Sequence, residues 1–426
     1  MGSLMYLKAH ELERYIGIKF YTTRTPGING KTRIRLSDFI VEEEITIQLS
    51  KERSNYCIFL LEKSGVDTLE AIRSIAKKLK AHEKSIGYAG LKDASAITKQ
   101  FVSIPSSLLV NLNYTDQVIV INDKVKLKFL GYSHTPISLG VLRGNRFTIR
   151  VYDVDLTTVE DRIKSILREL EFNGGIPSFF GHQRFGTRRP NTHIIGKYLV
   201  LRLWDKAVHE IIGHPYPYEH ERVREARILA EEGRYREALK LMPRKFWYER
   251  KILKLLNEGY KPLNILKRLP HDILKFFIQA YQAYLYNLIL SKRLEYEIKP
   301  NEVVEGDIVF NVKTRSTRYE AKSREISHDE VILLPVPGCN VSTPKSFSLD
   351  IVNEVLNEEG VNFSMFKIKE LGITLYGTLR YTPFKVYDFT YNLEGESIVF
   401  SFRLDKGMYA TVVLREFMKC SPLYFT

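Results

Sequence analysis

Three short stretches of this 426-residue chain combine residue types that could do chemistry. The first, residues 87–100 (GYAGLKDASAITKQ), sets Lys92 beside Asp93 between glycines and small polar residues. A neighbouring ammonium favours the ionised form of a carboxylate, and an ionised aspartate can serve as nucleophile or general base. Gly87 and Gly90 permit the tight backbone such a loop needs. The same letters also describe a surface turn carrying an ion pair, and local physics by itself favours that plainer reading. The second stretch is 143–150 (RGNRFTIR). Phe147 alternates with Ile149, as a core aromatic on a strand would. As a functional residue it would be a platform for a base, with the Asn145 amide reading a base edge. The third, 174–193 (GGIPSFFGHQRFGTRRPNTH), places Phe180, Gln183 and Arg184 among further phenylalanines, arginines, glycines and two histidines. Arginine meets phosphate and aromatics stack bases, which suits loop or single-stranded RNA. The glycines suit a domain hinge equally well, and the two readings are compatible.

The whole-chain balance agrees with a polyanionic partner. Net charge is +14 and the pI is about 9.4. Lysine and arginine neutralise phosphates and release counterions, so nucleic acid is the leading partner and an anionic membrane the weaker one. Other classes find no support. No phosphate-binding loop and no Gly-x-Gly-x-x-Gly after a strand is present, so no cofactor is expected. His209 and His214 are five apart and share no helical face, which argues against zinc. Cys57, Cys339 and Cys420 form no Cys-x-x-Cys pair, so neither a metal site nor a disulfide framework is expected, and the compartment expected is reducing cytoplasm. No run of about 18 apolar residues predicts a membrane span. Glu42, Glu43 and Glu44 read as a solvated strand end.

The elements that must position these residues follow from periodicity. Residues 55–62 read as a buried strand. Asp67 with Glu70 resembles a capping box opening a helix whose apolar face carries Leu69, Ile72, Ile75, Ala76 and Leu79. Residues 117–121 and 125–130 form a hairpin around Asn122-Asp123-Lys124, and 146–154 a further strand. Val159, Ile163, Ile166, Leu167 and Leu170 mark a second helix ending at Asn173-Gly174-Gly175. From about 205 to 295 the chain turns helical and highly charged, with a helix pair broken at Gly233 over 226–242. Residues 335–345 read as a loop. Ile398, Phe400, Phe402 and Leu404 alternate as a strand, and Tyr409 to Leu414 reads as another. The expected class is α/β or α+β, with a long helix-rich insertion followed by a return to the first domain.

Taken in order, the motifs resemble those of the TruD family of pseudouridine synthases, in its archaeal and eukaryotic branch. Arg33 and Asp38-Phe39 through Val41-Glu42-Glu43 match the opening pattern. Gly90-Leu91-Lys92-Asp93, Ala96, Thr98 and Gln100 match Gly-x-Lys-Asp-x-x-Ala-x-Thr-x-Gln. Gly144-Asn145 and Phe147 match Gly-Asn-x-Phe, and Gly174 to Gly186 match the Gly-Gly-x-Pro block, continued by Arg189-Pro190-Asn191-Thr192-His193. Gln282 to Asn287, Gly407-x-Tyr409-Ala410-Thr411 and Leu414-Arg415-Glu416 complete the series. The chain departs from the family in Arg33, where lysine is usual, and in Ser37, where glutamate is usual. The charged stretch 205–275 matches no family motif.

The resemblance implies a pseudouridine synthase core over 15–173 and 371–424. It also implies an inserted TruD domain over 174–370, with its helix-rich segment at about 205–295. It implies isomerisation of uridine to pseudouridine without a cofactor, in tRNA, commonly at position 13 of the D arm. Asp93 maps to the catalytic carboxylate. Phe147 would stack on the flipped uracil and Asn145 would place it. Lys92 and Arg33 would contact phosphate or hold Asp93 ionised. Phe180, Gln183 and Arg184 would line the RNA cleft or the hinge. A monomeric, cytoplasmic enzyme is expected. The competing reading is a non-catalytic tRNA-binding chaperone, which needs the basic aromatic cleft but not Asp93.

Overall fold

The computed structural model describes residues 6–92, 95–110, 118–138, 140–340 and 345–426. Asp93 lies outside the described residues. In chain order, β1 is Phe39–Ile45, β2 Tyr56–Ser64, α1 Thr68–Leu79 and β3 Ile97–Pro105. The hairpin follows as β4 (Val118–Asn122) and β5 (Val125–Ser133), then β6 (Leu142–Val151) and α2 (Val159–Phe172). Asp67 caps α1 by accepting from the Glu70 N–H at 2.8 Å, the role its position in the sequence suggests. After α2, Gly174 and Gly175 take φ of +70° and +129°. A Cβ on Gly175 would lie 2.4 Å from the Phe384 carbonyl oxygen, so this exit requires glycine.

A helical region follows: α3 (Thr192–Val200), α4 (Trp204–Ile212), α5 (Glu221–Glu231), α6 (Tyr235–Leu241), α7 (Trp247–Asn257) and the long α8 (His271–Glu295). The break between α5 and α6 falls at Gly233, as its letter predicts. Then come β7 (Ile308–Asn311), β8 (Ser316–Tyr319), β9 (Glu330–Val336), α9 (Phe347–Glu358) and β10 (Thr378–Thr382). The chain closes with β11 (Tyr387–Glu394), β12 (Ser397–Asp405) and α10 (Ala410–Met418).

Among the described residues, nine strands form one sheet in the order β11-β12-β6-β1-β3-β2-β5-β4, with Gly87–Tyr88 pairing on β3. The β1–β3 pair is parallel and its neighbours are antiparallel. One core packs the β1–β6–β12 side of this sheet against α2, α10 and α8; a smaller core packs α1 against β2, β3 and β5. The helical region builds a third core around α8, which also contributes to the first. A second sheet, β8-β7-β9-β10, stands apart.

Two expectations need correction. The return to the large sheet comes later than residue 371. Ile373–Thr374 pairs with Lys367–Ile368, and β10 pairs with β9, so β11 is the first strand to rejoin. Apolar alternation identifies a strand but not its partner. The segment from Tyr409 is not a strand but helix α10 with Tyr409 as its N-cap. Every residue from Ala410 to Met418 is buried. A helix covered on all sides shows no polar face, and a short apolar run then reads as β.

Candidate active site

A pocket of about 270 Å³ opens where β1, β3 and β6 meet the turn before α10. Arg33, Lys92, Thr98, Asn145, Gln183 and Tyr409 supply its polar lining, and Phe39, Val41, Leu91, Ala96, Phe147, Met408 and Ala410 its apolar walls. Five of the motifs quoted from the sequence are thereby brought together.

Phe147 serves both readings made of it. It is buried between Phe39, at 6.2 Å edge-on, and Phe402, at 5.6 Å, and it still faces the pocket. Asn145, two residues earlier on β6, shares that side of the sheet. Its Oδ1 is buried and has no hydrogen-bond partner among the described residues, and the same holds for Thr98 Oγ1. Two unpartnered polar atoms in one pocket are costly unless a ligand meets them.

The loop that leads to Asp93 is anchored on its near side. The Lys92 N–H donates to Thr68 Oγ1 at 2.8 Å, and its carbonyl accepts from Lys63 Nζ at 3.2 Å. Thr68 in turn donates to Gln100 Oε1 at 2.9 Å. This gives Gln100 a reason to stand in the motif. The Lys92 ammonium lies 2.9 Å from Glu43 Oε1, and the second Glu43 oxygen accepts from the Phe101 N–H at 2.9 Å. Glu43 is therefore a buried partner of Lys92 and not part of a solvated strand end. Buried charges persist only when paired and hydrogen-bonded in this way. Beyond the loop, Arg33 donates to the Ser95 carbonyl at 3.2 Å and lays its guanidinium 3.8 Å from the centre of the Phe39 ring. The planar group does both at once, which a lysine ammonium does less well.

The block 174–193 divides. Gln183 lines the pocket, its Oε1 accepting from Thr411 Oγ1 at 3.0 Å. Phe180 does not line it. It stands behind Tyr409 at 6.1 Å, under the Arg380 guanidinium at 4.4 Å. The Asn287 side chain clamps the Phe180 backbone, accepting from its N–H at 2.8 Å and donating to its carbonyl at 3.0 Å. Burial holds the Tyr409 phenol above its ordinary pKa, so it stays a hydrogen-bond donor. Arg184 also lies outside the pocket lining, against Phe276 and hydrogen-bonded to Gln279 on α8. Arg189, grouped with the RNA-contacting residues in sequence, instead donates to the Ile211 and Gly213 carbonyls at 3.2 and 2.8 Å and so caps the end of α4. His182 and His193 are buried, and burial depresses both imidazoles to about 3. They are neutral core residues.

Sequence reasoning gave no role to Glu43, Lys63, Thr68 or Tyr409. Glu43 and Tyr409 stand in the quoted motifs without a role, and Lys63 sits in the Glu62-Lys63-Ser64 end of its strand, where its letter reads as surface. Among the described residues no group of three or more His, Cys, Asp or Glu side chains is placed to hold a metal ion, and no helix is long and apolar enough to cross a membrane.

Comparison with known proteins converges on one family. The family model of tRNA pseudouridine synthase D (TruD) matches residues 15–417. Proteins named tRNA pseudouridine synthase D from Methanosarcina acetivorans and Pyrococcus abyssi are 34% and 35% identical. Those alignments span 98% and 94% of this chain and 99% and 98% of the relatives. The crystal structure of the Methanosarcina mazei TruD superposes with a TM-score of 0.80 at 32% identity, covering 98% of this chain and 100% of that one. A pocket that gathers the motif residues, within a fold shared over nearly its full length, places this chain in the TruD family of tRNA pseudouridine synthases.

Proposed function

We propose that the pocket between β1, β3, β6 and α10 receives the target uracil and that Asp93 is the carboxylate that acts on its ribose. The protein is a tRNA pseudouridine synthase, an isomerase. The N1–C1′ bond of a uridine breaks, the uracil turns while held, C5 bonds to C1′, the hydrogen on C5 leaves to water as a proton, and N1 takes up a proton in its place. Atoms balance without a group donor. Asp93 either attacks C1′ or removes a ribose proton, and both roles need it ionised. The observation that carries the reading is the convergence of Lys92 and Ala96, which flank Asp93 in sequence, with Asn145 and Phe147 in one pocket. The target base must leave its stack at a cost of a few kcal/mol. Phe147 offers the ring face, and the unpartnered Asn145 and Thr98 oxygens accept hydrogen bonds from it. The substrate uridine is position 13 of the D arm, and the enzyme acts as a cytoplasmic monomer. The catalytic core comprises the large sheet with α1, α2 and α10, and the chain from Gly174 through β10 is the inserted domain.

The test uses tRNA transcript carrying tritium at uridine C5, with no cofactor added. Wild type releases tritium to water; Asp93→Ala falls below detection while its tRNA affinity changes little. If affinity collapsed with activity, Asp93 would be a binding or structural residue. Tight binding with no release by wild type would point to a chaperone.

The close contact of β6 and β12 yields a second expectation. A Cβ on Gly144 would lie 2.2 Å from the Leu404 carbonyl oxygen, so Gly144→Ala must push the strands apart beside Asn145. A displacement of about 1 Å at a positioning residue costs on the order of 10²-fold in rate, and kcat/KM for tritium release should fall by that order. Gly140→Ala, which meets nothing within 4 Å, serves as the control and should be unchanged. Equal kcat/KM in both variants would mean that the approach of these strands does not position Asn145.

A further inference from the structure

The largest cavity among those described, about 750 Å³, is not the pocket assigned to the uracil. It lies between the second sheet and the end of the large one, within the about 300–1,000 Å³ typical of small-molecule sites. Phe310, Leu333 and Tyr381 give it aromatic and aliphatic walls, and Arg143, Lys385 and Lys406 stand at its rim. Three acidic groups line it. The Asp329 carboxylate is half-buried and among the described residues meets only the His328 ring, at 3.4 Å, while the other two are engaged by arginines. Asp405 is held by Arg403 at 3.2 Å and Tyr387 at 3.3 Å, and Glu330 by Arg318 and Arg324. The three exposed rim cations belong to no ion pair among the described residues. One lining residue, Asn301, is only 8% exposed, yet its Oδ1 has no hydrogen-bond partner among the described residues; the Tyr381 hydroxyl is likewise buried and unpartnered.

The cavity is a neighbour of the catalytic pocket. Arg143 and Asn145 lie two residues apart on one side of β6, one in each lining. Such residues are about 7 Å apart, roughly two stacked nucleotide steps. Across from them the turn after β12 divides the two spaces: Asp405 and Lys406 line the large cavity, Met408 and Tyr409 the small one. Arg380 pins that turn by donating to the Gly407 carbonyl at 2.9 Å.

We propose that this cavity is a second nucleotide site, which takes an unstacked base of the RNA substrate flanking the target uridine. The proposal rests on the catalytic reading above for the position of that uridine. Aromatic walls stack a base of any kind. The Asn301 oxygen accepts from a base-edge N–H, and the rim cations meet the phosphates on either side. The site would hold the strand open across the Asp405–Met408 turn while the uridine occupies the neighbouring pocket.

The test is an abasic scan. Full-length tRNA transcripts with the target uridine tritiated at C5 and one nearby nucleotide made abasic are assayed for binding and tritium release together. Wild type should lose about 5–150-fold in affinity at one flanking position, the worth of a stacked base. Leu333→Trp, which fills the cavity, and Phe310→Ala, which removes a wall without adding bulk, should each bind intact tRNA more weakly. Each should also be insensitive to that same lesion. A scan with no sensitive position, or a penalty that persists undiminished in both variants, overturns the proposal. Absence of release from wild type with lesion-sensitive binding intact would overturn the catalytic reading and leave the second site standing.

Discussion

Arg415→Met lowers the free energy of unfolding by about 3–5 kcal/mol, the usual cost of removing one partner from a buried charge cluster. Arg415 is 1% exposed, as is Glu13, and Glu416 is fully buried. The guanidinium donates to the two Glu13 oxygens at 2.9 and 3.2 Å and to the Phe20 carbonyl at 2.8 Å, and it pairs with Glu416 as well. It also lies 4.5 Å from the centre of the Tyr21 ring, a cation–π contact. Methionine fills much of the volume but leaves two carboxylates without their cation. Glu416 keeps hydrogen bonds from the Thr22 N–H and the Thr23 hydroxyl, so Glu13 bears more of the penalty. Because this cluster ties the segment 10–23 to α10, whose N-cap Tyr409 lines the catalytic pocket, activity should fall with stability. Urea midpoints at unchanged m-value measure the effect. The combined variant Glu13→Leu, Arg415→Met and Glu416→Leu should recover most of the loss, since an apolar replacement of a whole buried cluster is often neutral. A single variant within 1 kcal/mol of wild type would show that water or rearrangement relieves the stranded carboxylates.

The same cluster explains why some of the molecule was legible in its sequence and some was not. Elements with one wet face declared themselves. In α1 and α2 apolar residues recur at helical spacing, and Asp67 and the Asn173–Gly175 stop mark ends by local chemistry that needs no tertiary partner. Buried charge hid the rest. Glu43, Lys63, Arg189 and Arg415 carry letters that read as surface, yet each has a partner far away in the chain, which for Lys63 is the Lys92 carbonyl. No periodicity reports such partners. α10 failed as a helix in sequence because its polar positions, Thr411, Arg415 and Glu416, are as buried as its apolar ones. The candidate site was legible only as ordered motifs. Composition and spacing left the Lys92-Asp93 loop as a plain surface turn. What changes that reading is the clasp of Lys63, Thr68 and Gln100 on the loop, together with the approach of β6 beside it.

Acidification from pH 6.5 to 4.5 should remove up to about 5 kcal/mol of stability through two histidines alone, since each protonation site contributes at most about 1.4 kcal/mol per pH unit. Burial dominates the depression of His182, with Arg415 adding to it, and burial likewise dominates for His193, with Lys197 adding to it. Both folded-state values are about 3, against an ordinary value near 6.5 in the unfolded chain. Between those values the unfolded chain binds protons that the folded chain refuses. Stability therefore rises with pH across this window, is complete above about pH 6.5, and is lost as pH falls toward 3. Surroundings account for the size of the effect. His193 stacks on Tyr284 at 4.6 Å and meets Phe185 edge-on, and neither His182 nitrogen has a hydrogen-bond partner among the described residues. Carboxylates act in a lower window. Burial pushes Glu330 up, but hydrogen bonds from Arg324, the Ser327 backbone and Arg318 outweigh it and hold the group at about 2. Its contribution is complete above about pH 4.5 and fades only below that. The two sources therefore separate on the pH axis. Urea midpoints of wild type and of His182→Phe/His193→Phe, taken every half unit from pH 7.5 to 4.0, should diverge in slope between 6.5 and 4.5 and run parallel above 7. Parallel curves throughout would mean that the folded protein admits protons to these rings and that their burial does not govern its acid sensitivity.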